Sequence, residues 1–180
     1  MRTQGFTLIE ILVAIALIGF MAAVVAPNLF APTARAERTD FIAKTNAILF
    51  VGWQQALITH KIHIVTFDFN KRKIYLKVAD TPEHVDEKKA PLVKIDYLKT
   101  IMDIPQQFEV KNFFIEGTDE TRGGTRDLFY FYIMPDGLTQ DITINLLDTN
   151  DTLPDGTPRP VGLVLNPFSA QLKEYDTFQK

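Results

Sequence analysis

The chain contains no cysteine. This excludes disulfide scaffolds, thiol nucleophiles and cysteine-held zinc together. It leaves the redox compartment open, because a cysteine-free chain suits either. A basic excess is also missing: 19 Lys and Arg stand against 22 Asp and Glu, for a net charge of −3. General nucleic-acid binders show the opposite bias, so no nucleic-acid partner is expected. Core-forming residues are plentiful, with 14 Phe and 5 Tyr, which argues against disorder. A length of 180 residues supports one modest domain plus one further element.

The composition is unevenly spread. From Ile11 to Ala34 there are 24 consecutive positions without a charge. As a helix, that run is long enough to cross a hydrocarbon core of ~30 Å. Residues 35–180 are mixed in character and again sum to −3. The pattern reads as a membrane anchor followed by a mildly acidic soluble domain. Three readings compete for the first 36 residues. One is a secretory signal peptide, cleaved at Ala34-Arg35-Ala36. The second is an ordinary signal anchor, and the third is a leader cut before the apolar run begins.

Glu10 separates these readings. A charge inside a lipid-compatible helix costs roughly 2.5–3.5 kcal/mol at the helix centre and less toward the interface. A secretory or anchor helix gains nothing from it. Glu10 is then either a snorkelling acid favoured by the dipole at a helix start or a functional residue with a partner.

Gly5-Phe6-Thr7-Leu8-Ile9-Glu10 closely resembles the processing motif of the type IV pilin and pseudopilin superfamily. The resemblance implies that prepilin peptidase cuts after Gly5 and that the new amino terminus, Phe6, is N-methylated. It also implies that Glu10 is the assembly glutamate, pairing with the Phe6 ammonium of a neighbouring subunit and so setting docking register. Gly19 and Pro27 fall where many pilins have a glycine and a helix-loosening proline, and are expected to confer helix flexibility. The chemistry is coherent. Gly5 brings no Cβ into a tight protease site. Arg2 makes the short leader positive, which favours a cytoplasmic start. An opposite charge offsets much of the cost of holding Glu10 in a low dielectric. Pro27 and Pro32 lack a backbone donor, so they either end the membrane helix or form a joint within it.

Beyond Arg35, Phe41, Thr45, Ile48, Gly52 and Ala56 recur at helical spacing, with Leu49, Trp53 and Leu57 beside them. Arg38, Asp40, Lys44 and Gln54 fall among the polar positions. A continuous helix from Phe6 to Ile58 would be ~80 Å long. Alternation then predicts strands at Lys61–Phe69 and Arg72–Val78, joined as a hairpin through Asn70-Lys71, with Ile74, Leu76 and Val78 on one face. Further strands are expected at Phe108–Ile115, Asp127–Ile133, Asp141–Leu147 and Val161–Leu165. In Asp127–Ile133 Phe129, Phe131 and Ile133 oppose Leu128, Tyr130 and Tyr132, so both faces can be covered. Met134-Pro135-Asp136-Gly137 reads as a turn.

The aromatic strand, this turn and the alternating Ile142, Ile144 and Leu146 together resemble the H-type minor pseudopilins of type II secretion and the FimT/FimU-type minor pilins. Two segments depart from that pattern. Glu83–Pro105 is a Lys-rich insertion, and Asn166-Pro167-Phe168-Ser169-Ala170 stands where the family often has a glycine turn.

Other groups of residues carry less. Asp148, Asn150, Asp151 and Asp155 form an oxygen-rich run that calcium could use, but the spacing does not fit an EF-hand and a solvated turn accounts for it. His60 and His63 could meet on a helix or straddle its end, but no third metal ligand accompanies them. Lys88, Lys89, Lys94 and Lys99 read as a solvated loop. Trp53 reads as an anchor between helix and sheet. No nucleophile elbow, phosphate loop or carboxylate pair is evident, so neither enzymatic activity nor a cofactor is expected.

The expected fold is α+β and pilin-like, with a long N-terminal helix packed on an antiparallel sheet domain. Its parts are a cleaved leader (1–5), a transmembrane and assembly helix (6–34), an amphipathic helix (35–58) and a β-rich periplasmic domain (59–180). The resemblance implies a minor pseudopilin of type II secretion near the tip of a periplasmic pseudopilus. It would sit in the bacterial inner membrane by a single pass, with its N-terminus cytoplasmic, and move into the pseudopilus on assembly. Its partners would be prepilin peptidase, other minor and major pseudopilins and an inner-membrane assembly platform. A minor type IV pilin that primes pili for adhesion, motility or DNA uptake is the alternative. A secreted β-rich binding module with a cleaved signal peptide is the distant one.

Overall fold

The computed structural model describes residues 8–30, 33–79, 90–96, 98–122 and 127–180, with backbone alone for 24–30. The chain divides into two compact units, residues 1–33 and 34–180.

The first unit contains helix α1, Leu8–Phe30. Every side chain from Leu8 to Ala23 is exposed, and all but Glu10 are uncharged. The helix has no polar stripe, so it needs an apolar surrounding on all sides. Among the described residues, no helix is long and apolar enough to cross a membrane. The uncharged run 11–34 includes side chains outside that description. The expected single helix is two helices here, because α1 ends at Phe30 and the next begins at Ala34. Two prolines in this stretch, Pro27 and Pro32, supply no backbone donor. Pro27 does not itself end α1, which continues three residues beyond it.

The second unit is built around helix α2, Ala34–Thr59. Its buried positions include Phe41, Thr45, Ile48, Leu49, Gly52 and Ala56, as the helical spacing predicts. Two antiparallel sheets cover it. The first has four strands in the order β3 (Ile101–Asp103), β2 (Lys73–Val78), β1 (His63–Asp68), β6 (Leu128–Ile133). The second has five, in the order β5 (Thr118–Asp119), β4 (Phe108–Ile115), β7 (Ile142–Thr152), β8 (Pro158–Asn166), β9 (Gln171–Tyr175). β1 and β2 form the expected hairpin, with Val65 opposite Leu76 and Phe67 opposite Ile74. β3, β5 and β9 are additional to the strands expected.

Aromatic side chains join the three layers. Phe41 of α2 stacks on Phe108 of β4 with ring centroids 4.7 Å apart. Phe113 of β4 stacks on Phe129 of β6, also at 4.7 Å and nearly parallel, bridging the two sheets. Phe67 of β1 meets Phe113 edge-on at 5.7 Å. Each such ring contributes roughly 1.5–3 kcal/mol by burial and about 0.5–1.5 more by its pairing. Gly52 allows α2 to approach the first sheet, because a Cβ there would lie 2.8 Å from Leu76 Cδ1 and 2.9 Å from Ile133 Cδ1.

The turn after β6 forms as expected. Gly137 takes φ +85°, and its N–H donates to the Met134 carbonyl at 2.9 Å. A Cβ on Gly137 would meet Trp53 Nε1 at 3.0 Å, so this turn rests on α2. Trp53 also stacks on Phe50. The expectation for β6 itself needs correction. Phe129, Phe131 and Ile133 are buried, while Leu128 and Tyr130 are exposed. On the outer face only Tyr132 is half-buried, and β6 stands at the edge of its sheet. In the Asn166–Ala170 segment, Ala170 takes a left-handed φ of 51° while fully buried, and β9 follows.

Two asparagines act as one-residue strands. The Asn46 amide of α2 donates to the Leu172 carbonyl at 3.1 Å and accepts the Leu172 N–H at 2.7 Å, closing the free edge of β9. Asn145 of β7 grips the tail in the same way, donating to the Gln179 carbonyl at 2.8 Å and accepting its N–H at 2.9 Å. Asn46→Ala leaves both Leu172 main-chain groups without their side-chain partner. It is expected to cost about 1–3 kcal/mol, measured by urea unfolding of the full chain in detergent, with Asn46→Asp intermediate.

Candidate functional site

The residues that the sequence marks for processing and assembly lie at the amino terminus. Gly5 and Phe6 fall outside the described residues. Glu10 occupies the first turn of α1 and is exposed, where the positive end of the helix dipole favours a carboxylate. Gly19 sits in mid-helix, and a Cβ there would meet nothing within 4 Å. Pro27 lies in the last third of α1. The geometry presents one acidic side chain near the start of a helix that is otherwise uncharged and exposed over Leu8–Ala23.

The oxygen-rich run is placed differently from expectation. Asp148 is not part of a solvated turn: it belongs to β7 and is fully buried. Its partner is Arg38 of α2, which is 5% exposed rather than on the polar face. Arg38 Nη1 contacts Asp148 Oδ2 at 3.0 Å and Asp151 Oδ2 at 2.9 Å, and its Nε reaches Glu174 of β9 at 2.7 Å. Arg159 of β8 shares Asp151 at 2.6 Å. One guanidinium therefore ties the first turns of α2 to β7 and β9. Asp148 Oδ1 accepts the Asn150 N–H, and Asp155 holds Thr157 through both its N–H and its hydroxyl. The carboxylates proposed for calcium are thus engaged by Arg38, Arg159 and local turn contacts. Among the described residues, no group of three or more His, Asp or Glu is placed to hold a metal.

The cavity outside this cluster, about 540 Å³, is lined by Arg35, Arg38, Arg159, Asp151, Glu174 and Asp176, among others. Its cations and carboxylates balance, so it does not select an ion of either sign. His60 ends α2 with a left-handed φ of 52° and is exposed. His63 is buried at the start of β1, with Nδ1 3.1 Å from the Lys61 carbonyl, and burial pushes its pKa down. Lys94 and Lys99 are exposed, while Lys88 and Lys89 lie outside the described residues.

Burial alone would depress the Arg38 pKa. Hydrogen bonds to Asp151, Asp148 and Glu174 outweigh it and hold the group above its ordinary value. Asp151 is held below the usual carboxylate range by Arg38 first and Arg159 second. The stability that Asp151 contributes is therefore present above the ordinary carboxylate pKa and lost as pH falls through its depressed value. Arg38→Ala, which leaves Asp148 buried without its cation, is expected to cost about 3–5 kcal/mol. In the same urea titrations, wild-type stability is expected to fall below about pH 4, with a shallower fall in Arg38→Ala.

No curated protein matches the chain. Two solved structures of the minor pseudopilin EpsH from the type 2 secretion system of Vibrio cholerae are similar to it. One has 11% identity over 79% of this chain and 96% of its own, with a TM-score of 0.48. The other has 9% identity over 78% and 99%, with a TM-score of 0.47. Residues 1–26 match the prokaryotic N-terminal methylation motif, and that match contains Gly5, Phe6, Glu10 and Gly19.

Proposed function

We propose that this chain is a pilin-like filament subunit processed by prepilin peptidase, and that it works as a minor pseudopilin of a type II secretion system. The observation that carries the reading is the methylation motif over residues 1–26. In the structure this motif leads into a helix that is uncharged but for Glu10 and exposed over Leu8–Ala23. Such a helix suits a bilayer before assembly and a bundle of like helices afterwards. Cleavage after Gly5 exposes the Phe6 ammonium, and Glu10 of an adjacent subunit receives it. Neither charge is then left alone in a low dielectric, and the pairing sets axial register. The sheet unit stays on the periplasmic side and meets other pseudopilins. The secretion assignment within the superfamily is supported by the order of aromatic strand, Pro135-Asp136-Gly137 turn and alternating strand, which the structure contains as β6, the turn and β7.

Three measurements test this reading. The mass of the mature chain from membranes should correspond to N-methyl-Phe6 at its start; a chain beginning at Glu37 overturns the proposal in favour of a secreted module. Glu10→Ala should leave processing intact and reduce incorporation into filaments at least ~10-fold, about 1.4 kcal/mol or more in assembly, read by blotting the sheared filament fraction. Deleting the gene should block export of folded enzymes while pilus-driven motility persists; the reverse outcome identifies a minor type IV pilin.

A further inference from the structure

The acids at the end of β7 surround one residue whose side chain the fold does not use. Asn150-Asp151-Thr152 is an Asn-x-Thr triplet with no proline in the middle, the pattern of an N-glycan acceptor. None of the chain's other six asparagines has Ser or Thr two positions on. Asp148 stands two positions before Asn150 and adds a negative charge ahead of the triplet.

The fold sets this triplet apart. The β7–β8 register shifts between Asp148 and Thr152, so Thr149, Asn150 and Asp151 have no opposite residue in β8. Their other groups are tied down in turn. Thr149 gives both its N–H and its hydroxyl to the Gln107 carbonyl. Asp148 and Asp151 hold Arg38, and the Asn150 N–H donates to Asp148 Oδ1 at 3.2 Å. The Asn150 side chain differs. It is exposed, and its amide has no hydrogen-bond partner among the described residues. Thr152 is exposed as well. Asp151 between them turns to Arg38 and Arg159, so Asn150 and Thr152 face solvent together. By contrast, the side-chain amides of Asn46, Asn112, Asn145 and Asn166 are engaged within the fold.

We infer that Asn150 is the acceptor of an N-linked oligosaccharide, delivered from a polyprenyl diphosphate carrier at the outer face of the inner membrane. The inference takes from the filament reading only that the sheet unit lies outside the cytoplasm, which a secreted module would share. In the transfer, the Asn150 amide nitrogen bonds to the anomeric carbon of the first sugar. The bond from that carbon to the diphosphate oxygen breaks, and the carrier diphosphate leaves with the electron pair. The amide gives one proton to a basic group of the transferase, and nothing is oxidised or reduced. The Thr152 hydroxyl is the second recognition point of the triplet, and the Asp148 carboxylate offers an anionic third. Folding withdraws that third point, because Asp148 becomes fully buried against Arg38. Transfer therefore precedes the docking of α2 on the second sheet. The folded chain then accommodates the sugar, which leaves from an exposed side chain outside the core. Asp151 reaches both Arg38 and Arg159, so the glycan stands at the ion-cluster end of the sheet.

The test is mass analysis of the full chain purified from the membranes of its own host. The peptide that contains Asn150 should carry an added mass composed of sugar residues, placed on Asn150 by electron-transfer fragmentation. Asn150→Gln and Thr152→Ala should each lose that mass, while Thr152→Ser should keep it. Both positions are exposed and their side chains lie outside the Arg38 cluster, so the variants should fold as the wild type does. An unmodified Asn150 in a chain that begins with N-methyl-Phe6 overturns the glycan site and leaves the filament reading standing. A sugar mass that survives Asn150→Gln or Thr152→Ala overturns the site as well. A modified Asn150 in a chain that begins at Glu37 upholds the site while the filament reading falls.

Discussion

The second unit depends on one constraint: α2 must be dry along a stripe that two different sheets share. Neither sheet can bury that stripe alone. Phe41 needs β4, while Gly52 needs Leu76 and Ile133 of the first sheet. The Phe113–Phe129 stack holds the sheets to each other where the helix does not reach. At its start the same helix carries Arg38 instead of an apolar residue, and there the second sheet answers with carboxylates from β7 and β9. The helix is thus fixed by packing through its middle and by charge near its beginning. A misplaced helix would leave both Asp148 and the guanidinium buried without partners, which is a strong bias toward one arrangement.

This arrangement bears on how the proposed assembly would act on the molecule. In that proposal the residues that set register lie at the amino terminus, ahead of α2. Arg38 lies in the second turn of α2 and links it to strands more than 100 positions later in sequence. A pull applied to the start of α2 is therefore met first by ionic contacts to β7 and β9 and then by the aromatic core.

Much of this architecture was legible in the sequence, for identifiable reasons. β4 was read with its observed bounds because Phe-Glu-Val-Lys-Asn-Phe-Phe-Ile alternates against polar neighbours. The β1–β2 hairpin was legible from two alternating runs around Asn70-Lys71. β3 and β5 were not, because three and two residues are too few to show a period. β9 was missed because its Gln-Leu-Lys-Glu-Tyr is polar and its turn uses Ala170 in place of glycine. The outer face of β6 is apolar yet exposed at Leu128 and Tyr130, because side-chain character alone does not tell whether a second layer covers a strand. Arg38 was hidden for a more general reason. A charged residue on a helix reads as solvated, and its partners, separated from it by 110 and 136 positions, leave no local trace. The one signal was the density of acids at Asp148–Asp155, which calls for a cation as readily from the protein as from solution. The terminal motif was legible because it is local: Gly5, Phe6 and Glu10 all lie within six positions.

The grip of Asn145 on Gln179 has a practical consequence. Because both main-chain groups of residue 179 are held, a fluorophore carried on a cysteine introduced at the exposed position of Lys180 would leave from a pinned point beside β7. Such a label would turn with the five-stranded sheet as a rigid pointer, which suits it to orientation measurements within a filament and makes it a poor choice where a loose tether is wanted.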